Sequence, residues 1–145
     1  MPITRQKSLI KMAELEPEDF LAQIKKFLSS LNIDIRSRQL RKVKQKVTIE
    51  TDSGDFEMKG TSLRYLCFLE SISCVTCGLT GNVIFIEKFP GSETPHANFY
   101  HRNENGELLL MTKDHIRPKG KGGRDCIDNL QTMCSACNEE KGCRC

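Results

Sequence analysis

Two Cys-x-x-Cys pairs constrain this chain more than any other feature: Cys74/Cys77 and Cys134/Cys137, with residues 78 to 133 between them. Zinc takes four tetrahedral ligands, and a CxxC turn lets two thiolates reach one ion. Two such pairs predict a single four-sulfur structural zinc site made of Cys74, Cys77, Cys134 and Cys137. The separation is larger than a compact finger uses, so a β-hairpin and a loop fit between the halves of the site. A structural zinc contributes on the order of 10 kcal/mol, which matters in a 145-residue chain with 38% hydrophobic residues and no Trp. Redox-active dithiols are one competing reading, but they belong in a βαβ pattern, and none is visible. Disulfides are another and need an oxidising compartment. The N-terminal "MPITRQKSLIKMAELEPEDF" lacks the apolar stretch of a signal peptide. Four of the eight cysteines fall outside the pairs. Cys67 reads as a small buried hydrophobe, while Cys126, Cys143 and Cys145 are alternative ligands with poorer spacing.

No run of eighteen apolar residues occurs, so no membrane span is expected, and a soluble, cytoplasmic protein is the default. The net charge of +3 says little, but its distribution says more. Residues 36 to 46, "RSRQLRKVKQK", carry six basic side chains and no acid. Lys113 to Arg124 carries five basic residues against one acid, Asp114. Two local positive patches point to a polyanionic partner.

The pattern predicts an α+β fold. Phe20, Ile24, Phe27, Leu28 and Leu31 recur at helical spacing over residues 16 to 31, with Pro17, Glu18 and Asp19 suited to the first turn. The basic stretch reads as a further helix with Ile35, Leu40 and Val43 on its apolar side. "KVTIETDSGDFEMKG" reads as a hairpin turning at "DSGD", and "TSLRYLCFLES" as a helix starting at Thr61 or Ser62. These elements make residues 1–65 an accessory region and residues 66–145 a second domain. In the latter, "CVTCGLTG" is a cysteine knuckle, "NVIFIEKF" a strand and "PGSETPHANFYHRNENGE" a loop with a turn at "NENG". "ELLLMTKDH" is a second strand, "IRPKGKGGRDCID" is irregular, and "CSACNEEKG" is a short helix closed by Gly142.

At the end of the second strand stand Asp114 and His115. Asp114 offers a hard oxygen ligand for a divalent cation, and His115 a base that titrates near neutrality. Adjacent side chains on a strand point to opposite sides, so one can hold a metal while the other faces a water.

Taken in order, "DHIRP", "GKGG", "IDNLQTMC", "SACN" and "EEKG" resemble the HNH endonuclease family over about residues 74–142. The resemblance implies a ββα-metal fold, a β-hairpin and a helix around a catalytic metal, with two CxxC knuckles holding a structural zinc. It makes residues 66–145 the nuclease domain. It implies His115 as the general base, Asp114 as a ligand of the catalytic metal, and Asn129 as the Asn whose amide braces the loop and holds His115. The third letter of the family motif is usually His; here Asn138 stands there, and its carbonyl oxygen favours Mg²⁺ or Mn²⁺ over Zn²⁺. Lys141, three residues on, shares its face and reads as a phosphate contact. Lys113, Arg117, Lys119, Lys121 and Arg124 read as neutralising backbone phosphates, with Gly120, Gly122 and Gly123 letting the nucleic acid approach. The implied reaction is phosphodiester hydrolysis in DNA, double-stranded first and RNA as the alternative, in a bacterial or phage-infected cell. Residues 1–65 lie outside the resemblance and are candidates for binding a protein partner or dimerising. The rival reading is a catalytically inactive, zinc-stabilised module that binds nucleic acid or protein.

Overall fold

The structure, a computed structural model, describes residues 8–142. Cys143 and Cys145, alternative metal ligands by sequence, lie outside the described residues. Strand β1 (Ile10–Leu15) leads through Pro17 into helix α1 (Pro17–Leu31). A hairpin of β2 (Lys46–Thr51) and β3 (Gly54–Lys59) follows, then helix α2 (Leu63–Glu70). Strands β4 (Val83–Lys88), β5 (His96–Arg102), β6 (Leu108–His115) and β7 (Leu130–Cys134) end in helix α3 (Ser135–Gly142). The larger sheet runs β1-β4-β5-β6-β7, antiparallel throughout. Among the described residues, no helix is long and apolar enough to cross a membrane.

Helix α1 forms where the apolar periodicity predicts it. Phe20, Ile24 and Leu28 are buried along one stripe, Pro17 starts the first turn, and Asn32 ends the helix in the left-handed conformation. Phe20 packs edge-on against Tyr65 of α2 and Phe99 of β5, with ring centroids 5.1 and 5.6 Å away. Such aromatic pairs add roughly 0.5–1.5 kcal/mol each beyond the area they bury. Ser62 caps α2 by accepting the Arg64 N–H. Tyr65 then accepts the Ala97 N–H at 2.8 Å, which pins α2 to β5. One core therefore draws on residues from both sides of position 65, and β1 is an edge strand of the sheet that carries the Asp-His pair. The β2–β3 hairpin turns at Asp52–Ser53, as "DSGD" predicts, with Gly54 at φ +121°.

Two expectations are corrected. The basic stretch is no α-helix; it holds only a 3₁₀ turn over Arg38–Lys42. Ser37 starts the short turn by accepting the Gln39 N–H, and Asp34 accepts the Arg36 N–H, a local bond that competes with a helix. Crowded like charges oppose it as well, and only Leu40 of the turn is buried. The segment read as the loop "PGSETPHANFYHRNENGE" contains β5. Ala97, Asn98, Phe99 and Tyr100 are buried in succession, so the in-out alternation that marks a half-exposed strand is missing. Strand β7 is an addition, and Cys134 is its last residue rather than part of the last helix.

Candidate active site and metal centre

The knuckle that starts at Cys74 is closed by backbone bonds: Gly78 N–H to Cys74 O at 2.9 Å and Cys74 N–H to Leu79 O at 2.8 Å. The Val75 N–H donates to Thr132 O at 2.9 Å and docks the knuckle on β7. Strand β7 ends at Cys134, and the first turn of α3 brings Cys137 back to it. All four sulfurs of Cys74, Cys77, Cys134 and Cys137 lie within 4.8 Å of one another. Zinc–sulfur bonds of about 2.3 Å put tetrahedral sulfurs about 3.8 Å apart, and Cys77 and Cys134 stand 3.8 Å apart. The donor set therefore fits a tetrahedral, thiophilic ion. Burial opposes ionisation of Cys74, yet the N–H groups of Cys77, Cys134 and Thr76 outweigh it and bring that thiol down to about 6. Burial pushes Cys134 and Cys137 up instead. Without a cation, four clustered sulfurs cannot all ionise. Cys67 is buried against Thr132 and stands outside the cluster, as a small hydrophobe should.

At the other end of β6 the pleat turns Asp114 and His115 to opposite sides. Asp114 faces β7 and α3. Its Oδ2 accepts Gln131 Nε2 at 2.9 Å and the ammonium of Lys141. Lys141 also donates to the His115 carbonyl at 3.0 Å, which ties α3 to the strand end. One turn earlier on α3, Asn138 donates to Thr112 Oγ1 at 2.9 Å. Thr112 and Asp114 are two apart on β6, so the contacts of Asn138 and Lys141 follow one face of that strand.

His115 turns toward the loop that follows β6. Its Nε2 lies 2.9 Å from Asp125 Oδ1. An ionised carboxylate only accepts, so Nε2 carries the hydrogen and Nδ1 is the basic atom. Lys113 and Lys119 stand 3.6 and 3.8 Å from the same carboxylate. Asp125 is held below its ordinary range, first by the His115 hydrogen bond, against the effect of burial, then by Lys113, Lys119 and Arg41.

Asn129 holds this loop shut. Its Nδ2 donates to the carbonyls of Arg117 and Arg124 at 3.1 and 2.7 Å, and its Oδ1 accepts the Arg117 N–H at 2.9 Å. The Arg117 guanidinium donates to Lys121 O at 2.7 Å and folds the loop onto itself. The loop glycines serve the same closure. A Cβ on Gly123 would lie 1.7 Å from Arg117 O, and Gly122 sits at φ +86°. Lys121 and Arg124 are exposed.

The structure thus brings the four cysteines together, sets Lys141 on Asp114, and gathers Lys113 and Lys119 with His115 around Asp125. Sequence reasoning missed Asp125 and Gln131. Asp125 had one signal, a carboxylate in a loop otherwise supplied with basic residues and glycine. Gln131 had none, because its place opposite Asp114 follows from the β6–β7 register.

Residues 103–145 match the family model described as HNH endonuclease. The match covers the turn before β6, the Asp114–His115 strand end, the Asn129 loop, β7 and α3. The mouse (Mus musculus) protein "DNA annealing helicase and endonuclease ZRANB3" is 49% identical over 37 residues, 25% of this chain and 4% of that protein's length. The chain therefore resembles only a small part of that relative. No solved structure matches the chain significantly.

Proposed function

We propose that the segment matched to HNH endonucleases makes this chain a metal-dependent endonuclease that hydrolyses phosphodiester bonds in duplex DNA. The observation that carries the reading is the strand end itself. Asp114 faces cationic and amide donors from α3 and β7, and His115 faces the basic loop with its Nε2 committed to Asp125. The relative named as a DNA annealing helicase and endonuclease supports DNA as the substrate.

In this reading β6, β7 and α3 act as a ββα-metal unit, with residues 1–65 as its accessory region. His115 takes a proton from water at Nδ1 while Asp125 holds Nε2–H and stabilises the imidazolium that forms. The hydroxide attacks phosphorus in line, the bond to the 3′ oxygen breaks, and that oxygen takes a proton from solvent water to leave a 3′ hydroxyl and a 5′ phosphate; the proton on His115 then returns to solvent. The Asp114 carboxylate and the Asn138 carbonyl would hold the divalent cation, and two oxygen donors suit Mg²⁺ or Mn²⁺. Asp114 already accepts an ammonium, so its carboxylate faces a position that suits positive charge. A cation there would supply stabilisation of the charge that grows in the transition state. Asn129 keeps the loop closed so that His115 stays in place. Lys113, Lys119, Lys121 and Arg124 neutralise backbone phosphates. Cys74, Cys77, Cys134 and Cys137 would hold a zinc ion that fixes the start of α3.

One observation favours the rival binding module: Lys141 already pairs with Asp114 and leaves the carboxylate satisfied. Plasmid nicking with Mg²⁺, Mn²⁺ or no added divalent metal, by wild type and His115→Ala, separates the two. The endonuclease needs metal, and His115→Ala loses roughly 10²–10⁴-fold in rate. Equal cutting by both proteins, or none by wild type with either metal, removes the nuclease reading.

A further inference from the structure

We propose that the cleft between residues 35–42 and residues 124–128 is a track for the DNA backbone that leads to His115. The proposal deepens the endonuclease reading and rests on it for the choice of DNA. The cleft has a volume of ≈ 610 Å³ and brings together two segments far apart in the chain. Arg36, Arg38, Arg41 and Lys42 line it from the 3₁₀ turn, and Arg124 lines it from the loop. Leu40, Leu66 and Ile127 are buried at its base, and burial of Leu40 fixes the turn that presents the cations.

Two carboxylates also line the cleft, and each has a partner. Asp128 holds Arg36 at 3.0 Å and joins the two walls. Asp125 holds His115 at 2.9 Å. Arg38, Arg41, Lys42 and Arg124 are exposed, so four cations face solvent along one groove. Asp125 is common to the groove and to the His115 pair, and the charge of Arg41 reaches it. A strand of phosphates in the groove would therefore run straight to the imidazole.

A second opening of the molecule has the reverse charge. Glu14, Glu16, Asp19, Glu50 and Asp52 surround it, and a polyanion is repelled there. Charge thus selects the 35–42 cleft, and its continuity with His115 selects the backbone of the strand being cut. An acidic protein segment would fit the charge but not that continuity.

The test is binding of a short fluorescent DNA duplex, with no divalent metal added, by anisotropy over a range of salt concentrations. All proteins carry His115→Ala, so cutting plays no part. Each phosphate contact contributes about 0.9 to the slope of log affinity against log salt. Removing Arg38, Arg41 and Lys42 together by alanine is expected to lower that slope by about 2–3 and the affinity by at least tenfold. Arg124→Ala on the opposite wall lowers the slope by about 1. Lys25→Ala/Lys26→Ala on α1, outside the cleft, leaves both unchanged. Circular dichroism checks that each variant is folded. A triple variant that binds DNA with the wild-type slope overturns the track, as does one that loses an acidic peptide but not DNA. Absence of plasmid nicking with a lowered slope leaves the track standing and removes only the nuclease reading.

Discussion

The cysteine cluster and the Asp114–His115 strand end share β7 and α3, yet they are held in opposite ways. At the cluster, Cys74 and Cys134 are buried, and the knuckle is tied by main-chain bonds to its own loop and to β7. At the strand end the groups are partly exposed, and ion pairs and side-chain hydrogen bonds hold them. Main-chain bonds within a closed turn have no easy substitute. Ion pairs at a water-accessible surface exchange partners at low cost. The contrast separates a part that must not move from one that must accept a substrate. It also predicts that damage at the first costs folding and damage at the second costs rate.

The largest expected effect tests the first half of that statement. Cys134→Ser removes one of four sulfurs and the anchor at the start of α3. Stability should fall by up to on the order of 10 kcal/mol, read as a drop in Tm that a chelator reproduces in the wild type. A Tm unchanged by both would place the cluster outside the scaffold. Asp125→Asn tests the second half. It leaves the size of the side chain alone but removes the charge that stabilises the imidazolium and adds an amide donor that favours the other tautomer, so the nicking rate should fall roughly 10²-fold with little change in Tm. A large loss of Tm with a normal rate per folded molecule would reverse the comparison. The smallest effect is in the acid limb. Asp125 titrates below its ordinary value of 3.8. A depressed carboxyl contributes stability that is complete above its unfolded value and is lost as pH falls through the folded one. Asp125→Asn should therefore flatten the loss of stability just below pH 3.8, measured by denaturant melts across that range.

The cysteine site, α1 and the β2–β3 hairpin were legible because each depends on short-range pattern. Two cysteines three apart make one turn, and Phe20, Ile24 and Leu28 recur on one face of a helix. Strand β5 was illegible for the opposite reason. Both its faces are covered, with Ala97 and Phe99 in the main core and Tyr100 against Val83 and Phe85, so its alternation is gone, and Pro, Gly and Asn around it resemble loop residues. The basic stretch misled because its spacing allows a helix, while Ser37 caps only a 3₁₀ turn that the extended backbone at Val43 ends. The loop glycines look like space for a ligand. Gly123 instead makes room for Arg117, because the loop closes on itself.

The residue pattern alone determined the four-sulfur site, the amphipathic first helix and the Asp-His strand end, since ligand spacing and hydrophobic period are encoded within a few residues. Tertiary structure decided what surrounds His115. Asp125 reaches it only because Asn129 closes a ten-residue return, and Arg36 meets Asp128 across 92 positions of chain. Contacts of that span are selected by how a common core buries its apolar groups, and no local run of residues encodes that choice.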